Sequence, residues 1–240
     1  MDIPATMHRR LKPLTDYLSG QLNRPVNLRL APNLSTAARD VALGRIDITY
    51  LTPVAYLRAH REGGARLVAK TITRGNSSFQ LMLVTRNDSP IKTVRDLVGK
   101  SFAFGDKAAI LQRAAVVNAG IKLEELGSYK FIGHYDNIVR GVLSGDFDAG
   151  ILKDTSAYQA ADKGIRIIHA SPHLPPYNIV VSKNIDEKLY NTIRAAFLEL
   201  DAANPQHRAV IKALDPDYDG FAETSDAEYD IIRQLVKPFE

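Results

Sequence analysis

The feature that most constrains the fold is a regular alternation of short apolar runs and helical patterns along almost the whole chain. Strand-like runs occur at 25–31, 46–51, 65–72, 78–86, 101–105, 129–133, 147–152, 166–170 and 178–182. Helical spacing fills most of the gaps, and three helical stretches follow the last run, near 186–203, 205–214 and 225–236. Strands that alternate with helices are typical of α/β proteins, in which helices cover the faces of a sheet.

Two connections in this alternation, residues 71–79 and 171–178, differ from ordinary loops, and we interpret both as crossovers between two lobes. Residues 76–177 then form lobe 2, and residues 1–75 together with 178–240 form lobe 1. We therefore predict a two-lobed α/β fold in which each lobe is a mixed sheet flanked by helices, with a ligand cleft between the lobes. Ligands of open α/β sheets bind beyond the carboxyl ends of the strands, often at helix N-termini.

Composition excludes several classes of protein. The 240 residues include no Cys, which excludes disulfides, thiolate metal sites and Cys nucleophiles. The 31 basic and 27 acidic residues form no concentrated basic stripe, so we do not expect nucleic-acid binding. No run approaches about 18 apolar residues, so we expect no membrane insertion. The N-terminus also lacks the apolar core of a signal peptide.

Known catalytic and nucleotide-binding motifs are missing from the sequence. It contains no G-x-G-x-x-G, P-loop, H-E-x-x-H or G-x-S-x-G motif. The six His residues are scattered, and Pro172 separates His169 from His173, so these two are not expected to share a helix face. We therefore expect no metal, no cofactor and no enzymatic activity.

Two junctions between a strand and a helix carry the best candidates for ligand binding. One strand ends in Gly105 and leads into a helix whose first N–H groups suit a phosphate, sulfonate or carboxylate. Lys107 can add a charged contact there. His134 directly follows another strand, where its imidazole can donate to an anion. Each junction has a structural alternative: Asp106 as an ordinary N-cap, and His134 as a capping or partly buried residue.

Aromatic side chains near the predicted loops are candidates for the walls of a pocket. They are Tyr50, Tyr56, Phe79, Tyr135 and Tyr177. An aromatic residue taken alone is more often part of the hydrophobic core than of a pocket wall. The sequence therefore leaves both interpretations open for the aromatic residues.

Several segments resemble the phosphate/phosphite/phosphonate-binding proteins of bacterial ABC importers. The similarity extends from about Leu11 to about Leu200. It rests on D-S-P-I at 88–91, D-L-V-G-K at 96–100, F-G-D at 104–106, G-H-x-x-N at 133–137 and D-A-G at 148–150. The resemblance implies a two-lobed, periplasmic-binding-protein-like fold. It also implies a periplasmic receptor that closes on a small ligand and delivers it to a membrane permease.

The resemblance also implies ligand contacts at particular positions. The family histidine matches His134, the aromatic residue after the first crossover matches Phe79, and a family tyrosine falls next to Tyr50. A Ser-Thr-Ser run that holds phosphonate in the family falls on residues 106–111, which have no hydroxyl group but keep their backbone donors. The acidic residue that reads an amine in aminophosphonate receptors falls near Tyr177 and is absent. Aminoethylphosphonate is therefore not the expected ligand.

We predict a solute-binding receptor that captures a small anionic ligand, such as a phosphonate-like or phosphite-like oxyanion, for an ABC importer. The candidate ligand-binding residues are Tyr50, Thr52, Ser78, Phe79, Lys107, Ala108, Ala109, His134, Asp154 and Tyr177. We expect the receptor to be a periplasmic monomer whose signal or anchor is absent from this chain.

Two alternatives keep this fold and change its role. The first is the periplasmic ligand-sensing domain of a membrane signalling protein, in which a fused signalling module takes the place of the permease. Transmembrane segments flanking the domain in the full gene would distinguish it from the receptor. The second alternative is an enzyme on the same scaffold, because one fold supports many functions. Only His134 and Asp154 are then available as a general base.

Overall fold

Helices and strands alternate over residues 4–239, which is the part of the chain that the computed structural model describes. The α-helices of this part are α1 (Pro4–Leu22), α2 (Leu34–Ala42), α3 (Pro53–Gly63), α4 (Ile110–Asn118), α5 (Tyr135–Ser144), α6 (Asp154–Ala161), α7 (Glu187–Leu198), α8 (Pro205–Leu214) and α9 (Asp230–Val236). The strands are β1 (Ile48–Leu51), β2 (Arg66–Thr73), β3 (Leu81–Arg86), β4 (Ser101–Phe104), β5 (Ser128–Phe131), β6 (Ala149–Lys153), β7 (Ile165–Ala170), β8 (Asn178–Val181) and β9 (Tyr218–Ala222). This order confirms the α/β class.

The chain forms two units, called unit 1 and unit 2 below. Unit 1 contains the residues before Phe79 together with Pro175–Asp230, and unit 2 contains Phe79–Leu174 together with the residues from Ile231 onward. The chain therefore passes between the units three times. The first two passages lie within the predicted crossovers. The third has no counterpart in the sequence analysis, which assigns residues 178–240 entirely to lobe 1.

Unit 1 has a four-stranded sheet in the order β1-β8-β2-β9. β1 and β2 are joined through α3, but β8 lies between them and is antiparallel to both. β9 is antiparallel to β2, so all neighbouring strands of this sheet are antiparallel. The sequence predicts a mixed sheet here. The difference arises because β8, from a distant part of the chain, lies between β1 and β2, which a β-α-β unit would pair as parallel neighbours.

Both faces of the unit 1 sheet are covered, and β8 shows how its sequence achieves this. Ile179 and Val181 pack with α1, α7 and α8 on one face, whereas Val180 packs with α2 and α3 on the other. Successive side chains of a strand point to opposite faces, so a continuous apolar run is what a strand covered on both sides requires.

Unit 2 has a five-stranded mixed sheet in the order β5-β4-β6-β3-β7, in agreement with the prediction. β4 is parallel to β5 and β6, whereas β3 is antiparallel to β6 and β7. The carboxyl ends of β4, β5, β6 and β7 therefore lie at one edge of the sheet, where β3 begins. This edge is called the carboxyl edge of unit 2 below.

One strand prediction is wrong, and one strand is not predicted. Residues 25–31 have an alternating pattern but are irregular, and the Val26 amide donates to Ser19 Oγ at 2.9 Å rather than to a neighbouring strand. β9, in contrast, is not predicted, because its D-Y-D-G surroundings contain Asp and Gly, which are depleted in strands. Pairing with the apolar strand β2 compensates for this composition.

Candidate ligand-binding site

Three helices of unit 2 begin at its carboxyl edge. β4 leads through residues 105–109 into α4, β5 leads through residues 132–134 into α5, and β6 leads directly into α6. The N-terminus of an α-helix has N–H groups without intrahelical partners and carries a partial positive charge. The order of the elements therefore places three helix N-termini, the ordinary anion-binding feature of α/β folds, along one edge.

None of these three described helix starts has a side-chain N-cap. The N-cap residues are Ala109 for α4, His134 for α5 and Lys153 for α6, and no side chain of these residues accepts a helix N–H. His134 has extended backbone angles (φ −76°, ψ 152°), so an Asn or Asp could act as a cap at this position. The sequence has instead an imidazole, an ammonium and a methyl group at the three positions.

The turn before α4 is organised by Asp106. The Asp106 carboxylate accepts the Ala108 N–H at 2.8 Å, and its carbonyl accepts the Ala109 N–H at 2.9 Å. The helix itself begins only at Ile110, so Asp106 stabilises the turn rather than capping α4. Lys107 and Ala108 are exposed at the carboxyl edge. The predicted oxyanion segment is thus an exposed turn with a lysine and an acidic side chain.

The turn before α5 lies directly against the turn before α4. Gly133 has a φ of +84°, and its N–H donates to the Gly105 carbonyl at 3.1 Å. His134 follows and is exposed, while its carbonyl accepts the Asn137 N–H at 3.0 Å. Asn137 in turn donates from its side chain to the Ile132 carbonyl at 2.8 Å, which fixes the start of the helix. The imidazole of His134 is therefore held at the edge by its backbone.

Asp154 has a structural role at the start of α6. Its carboxylate accepts the Gln80 N–H at 2.9 Å and the Thr155 N–H at 2.7 Å, and its own N–H donates to the Gln80 carbonyl at 2.9 Å. These bonds join the start of α6 to the residues just before β3. Both carboxylate oxygens of Asp154, a predicted ligand contact, thus accept backbone N–H groups of the protein.

Lys153 is a residue of this edge that the sequence analysis missed. Its ammonium group lies 5.6 Å from the centroid of the Phe79 ring, which is within the range of a cation–π contact. Phe79 is fixed by two backbone hydrogen bonds to Leu174, at 2.9 and 2.8 Å. A signal for Lys153 exists in the sequence, because it is the last residue of an apolar strand, where side chains reach the carboxyl edge.

Tyr50 and Tyr177 lie in unit 1 and stack on each other, with ring centroids 4.8 Å apart and an angle of 12° between the planes. Tyr218, which the sequence analysis missed, forms a hydrogen bond to the Tyr50 hydroxyl. Burial raises the pKa of Tyr50, and burial raises the pKa of Tyr218 to about 12. Burial, followed by the nearby Asp215 carboxylate, also raises the pKa of Tyr177. All three hydroxyls are therefore neutral hydrogen-bonding groups at neutral pH.

The remaining two candidates also lie in unit 1. Thr52 is the N-cap of α3, and its hydroxyl accepts the Ala55 N–H at 3.3 Å. Ser78 is partly buried and is the last residue before the chain enters unit 2. Thr52 thus has a structural use that the sequence analysis did not assign to it.

The structure brings together six of the ten candidates at the carboxyl edge of unit 2: Phe79, Lys107, Ala108, Ala109, His134 and Asp154. The other four belong to unit 1. In the part of the chain that the structure describes, no group of three or more His, Asp or Glu side chains is arranged to hold a metal ion. Within residues 4–239, no helix combines the length and apolar character that a membrane span requires.

Comparison with known proteins gives the class of this chain. Residues 2–229 match the family described as "ABC transporter, phosphonate, periplasmic substrate-binding protein". The chain belongs to this family. It is 25% identical to the "Phosphonates-binding periplasmic protein" of Escherichia coli (strain K12), with 93% of this chain and 70% of that protein aligned.

Solved structures share the fold at low sequence identity. XAC2383 from Xanthomonas citri bound to ATP superposes with a TM-score of 0.80 at 20% identity, covering 97% of this chain and 93% of that chain. PhnD1 from Prochlorococcus marinus in complex with methylphosphonate superposes with a TM-score of 0.76 at 16% identity, covering 99% and 94%. These similarities confirm the predicted periplasmic-binding-protein fold.

Membership of the family establishes the general role. The chain is a periplasmic solute receptor of an ABC transporter, with a small molecule as ligand and a permease as partner. Family members are substrate-binding proteins, which agrees with the prediction that the chain is not an enzyme.

Proposed function

We propose that this receptor captures a small tetrahedral oxyanion, of the phosphonate, phosphate or sulfonate class, at the carboxyl edge of unit 2. The observation that carries the proposal is that three helices begin along this edge and none has a side-chain cap. Uncapped amides with a partial positive charge favour an anion and are satisfied when the anion binds. The solved relative with methylphosphonate supports the choice of ligand class.

We assign the ligand contacts of unit 2 to amides at the starts of α4 and α5 other than those that donate to Asp106 or to the His134 carbonyl, with His134 and Lys107 as side-chain donors. Both turns are exposed, so a ligand can reach them from solvent. The missing Ser-Thr-Ser hydroxyls are then replaced by backbone amides, the His134 imidazole and the Lys107 ammonium, and hydrogen bonds to an anion are of the stronger, charge-assisted kind. Asp154 is left out of this assignment because its oxygen atoms are already bonded to backbone groups.

Asp106 distinguishes this turn from one built of hydroxyl residues. Its exposed carboxylate already accepts one amide of the turn and repels a second anion. Asp106→Asn keeps an acceptor for the Ala108 N–H and removes the charge. We expect it to tighten oxyanion binding about threefold or more. Asp162→Asn is the matched control, because Asp162 is the exposed C-cap at the end of α6 that lies away from the proposed site. The affinity of this variant should equal that of the unmodified chain.

The experiment that tests the proposed function is calorimetric titration of the purified chain with phosphate, methylphosphonate, methanesulfonate, sulfate and ATP, with acetate and glycerol as controls. A ligand at 1,000 times its Kd stabilises the protein by about 4 kcal/mol, so thermal unfolding provides a second readout. We expect saturable binding of at least one tetrahedral oxyanion and none of glycerol. Absence of binding for every oxyanion would overturn the proposal.

We propose in addition that the receptor acts as a monomer that delivers its ligand to a permease. A fused signalling module would make the same demands on the ligand site, so the ligand does not separate these roles. Light scattering during gel filtration, with and without methylphosphonate, tests the monomer. Transmembrane segments adjoining this domain in the full-length gene product would favour sensing over transport.

A further inference from the structure

One buried polar side chain of unit 2 contacts both turns of the proposed site. Gln112 is only 6% exposed. Its side-chain oxygen accepts the Gly105 N–H at 2.8 Å, and its side-chain nitrogen donates to the Tyr135 hydroxyl at 3.4 Å. Gly105 begins the turn before α4, and Tyr135 is the first residue of α5. A single amide group therefore links the two helix starts.

The space around this amide is closely filled. A Cβ atom on Gly105 would lie 2.8 Å from the Gln112 side-chain nitrogen and 2.9 Å from the Gly133 carbonyl oxygen. The Gly133 N–H donates to the Gly105 carbonyl, so the backbones of the two turns are in direct contact. A small movement of the Gln112 side chain would therefore shift one turn relative to the other.

An apolar residue would suit the volume at position 112 without needing any hydrogen bonds. A buried amide is costly unless its donors and acceptors are paired, and Gln112 pairs with a group from each turn. Because its oxygen accepts the Gly105 N–H, that N–H is directed into the protein rather than toward the edge. The Gly105 N–H is therefore not available to a ligand.

We propose that Gln112 is a positioning residue for the oxyanion. It sets the separation between the start of α4 and the start of α5, so that amides of both helices reach the same anion. This inference rests on the proposed function, because it assigns a role to Gln112 only at a site where both helix starts are used.

The test compares Gln112→Leu and Gln112→Glu with Thr85→Val as a matched control. Thr85 is also fully buried in the sheet of unit 2, and its hydroxyl donates to the Asp148 carbonyl at 2.7 Å, at the edge opposite the proposed site. The probes are methylphosphonate and methanesulfonate, titrated by calorimetry at a temperature where circular dichroism shows all variants folded. Amide hydrogen exchange at Gly105 is measured by NMR without ligand.

Gln112→Leu removes the acceptor of a buried N–H, so we expect methylphosphonate binding to weaken about tenfold or more and exchange at Gly105 to accelerate. Thr85→Val should lower the melting temperature with affinity within about twofold, since it acts only on stability. Gln112→Glu keeps the shape and the acceptor but adds a negative charge. It should weaken binding of methylphosphonate as a dianion more than that of monoanionic methanesulfonate, which a purely structural role would not produce.

The outcomes separate this inference from the proposed function. Equal affinities for the unmodified chain and Gln112→Leu would overturn the positioning role and leave oxyanion capture intact. Losses of affinity that match those of Thr85→Val would overturn it as well, because they would reflect stability alone. If the unmodified chain binds neither probe nor any other oxyanion of the panel, the proposed function and the positioning role fail together.

Discussion

The two units of this receptor begin their helices in different ways. In unit 1, the N-cap side chains at the starts of α2, α3, α7 and α8 accept helix N–H groups. These N-cap residues are Asn33, Thr52, Asp186 and Asn204. In unit 2, the N-cap residues of α4, α5 and α6 accept no helix N–H, and Asp154, the first residue of α6, accepts only the N–H of its neighbour Thr155. The same backbone groups are therefore used for folding in one unit and left for other partners in the other.

This difference indicates a division of roles. A side-chain cap is worth about 1 kcal/mol of stability, so a helix start without one sacrifices stability unless something else binds there. The polar groups that unit 1 contributes among the candidates are uncharged hydroxyls, and burial raises the pKa values of Tyr50 and Tyr177 above the usual tyrosine value. Charge recognition is thus expected in unit 2.

Adding a side-chain cap to a helix start of unit 2 should have the largest effect on the difference between the two units. His134→Asp places a carboxylate where it can accept an N–H of α5, so we expect stability to rise by about 0.5–1 kcal/mol. Affinity for methylphosphonate should fall about 100-fold, because the carboxylate occupies and repels the anion site. His134→Asn caps without charge and should lose much less affinity. Equal losses in the two variants, measured by calorimetry, would contradict a charge-based explanation.

Adding a methyl group where the two turns are in contact should have the next largest effect. Gly105→Ala places a methyl group 2.9 Å from the Gly133 carbonyl oxygen, and we expect a loss of about 1–3 kcal/mol in the free energy of unfolding. Urea denaturation measures this loss. Gly20→Ala is the control, because Gly20 lies in α1 with nothing within 4 Å of an added Cβ, and it should be stabilising. An unchanged stability for Gly105→Ala would mean that the turns are not in tight contact.

Removing a cap from unit 1 should affect stability alone. Asp186 accepts the Leu189 N–H at 2.8 Å at the start of α7, so Asp186→Ala should cost about 1 kcal/mol. Affinity for oxyanions should be unchanged, because α7 belongs to unit 1 and its start is already occupied. A clear loss of affinity, at a temperature where the variant is fully folded, would break the proposed division between the units.

The smallest expected effect is at the other edge of the unit 2 sheet. Burial raises the pKa of Asp148, but hydrogen bonds from the Ser101 N–H and hydroxyl, each 2.8 Å, lower it by more than burial raises it. The pKa of Asp148 therefore lies below its usual range. Its contribution to stability is therefore present above about pH 3.9 and is lost as the pH falls through the lower folded pKa. Asp148→Asn should cost well under about 1 kcal/mol at neutral pH, because Asp148 is largely exposed. Urea denaturation of both chains at several pH values should show this difference shrinking in acid.

The sequence predicts the elements of unit 2 well and those of unit 1 less well. In unit 2, chain order and spatial order are linked by helices, so the strands before α4, α5 and α6 are visible as separate apolar runs. In unit 1, β8 comes from beyond residue 175 and lies between β1 and β2. No local pattern indicates that insertion, because strand pairing between distant segments depends on tertiary packing.

The site could be predicted in part, for a similar reason. His134 and Lys107 follow strands directly, and their place at the carboxyl edge can be inferred from position alone. Caps depend on backbone angles, so the sequence suggests Asp106 as an N-cap although α4 begins four residues later. The structural role of Asp154 also depends on contact with Gln80, which lies 74 positions away in the chain and is visible only in the folded structure.

The most direct test of the central claim is an NMR titration of the deuterated, ¹⁵N-labelled chain with methylphosphonate. If the uncapped helix starts hold the oxyanion, the amide resonances of residues 107–111 and 134–137 should shift most, and along the same binding curve. The capped starts of α2, α7 and α8 should shift little. Shifts at the capped starts without any at 107–111 and 134–137 would contradict the account.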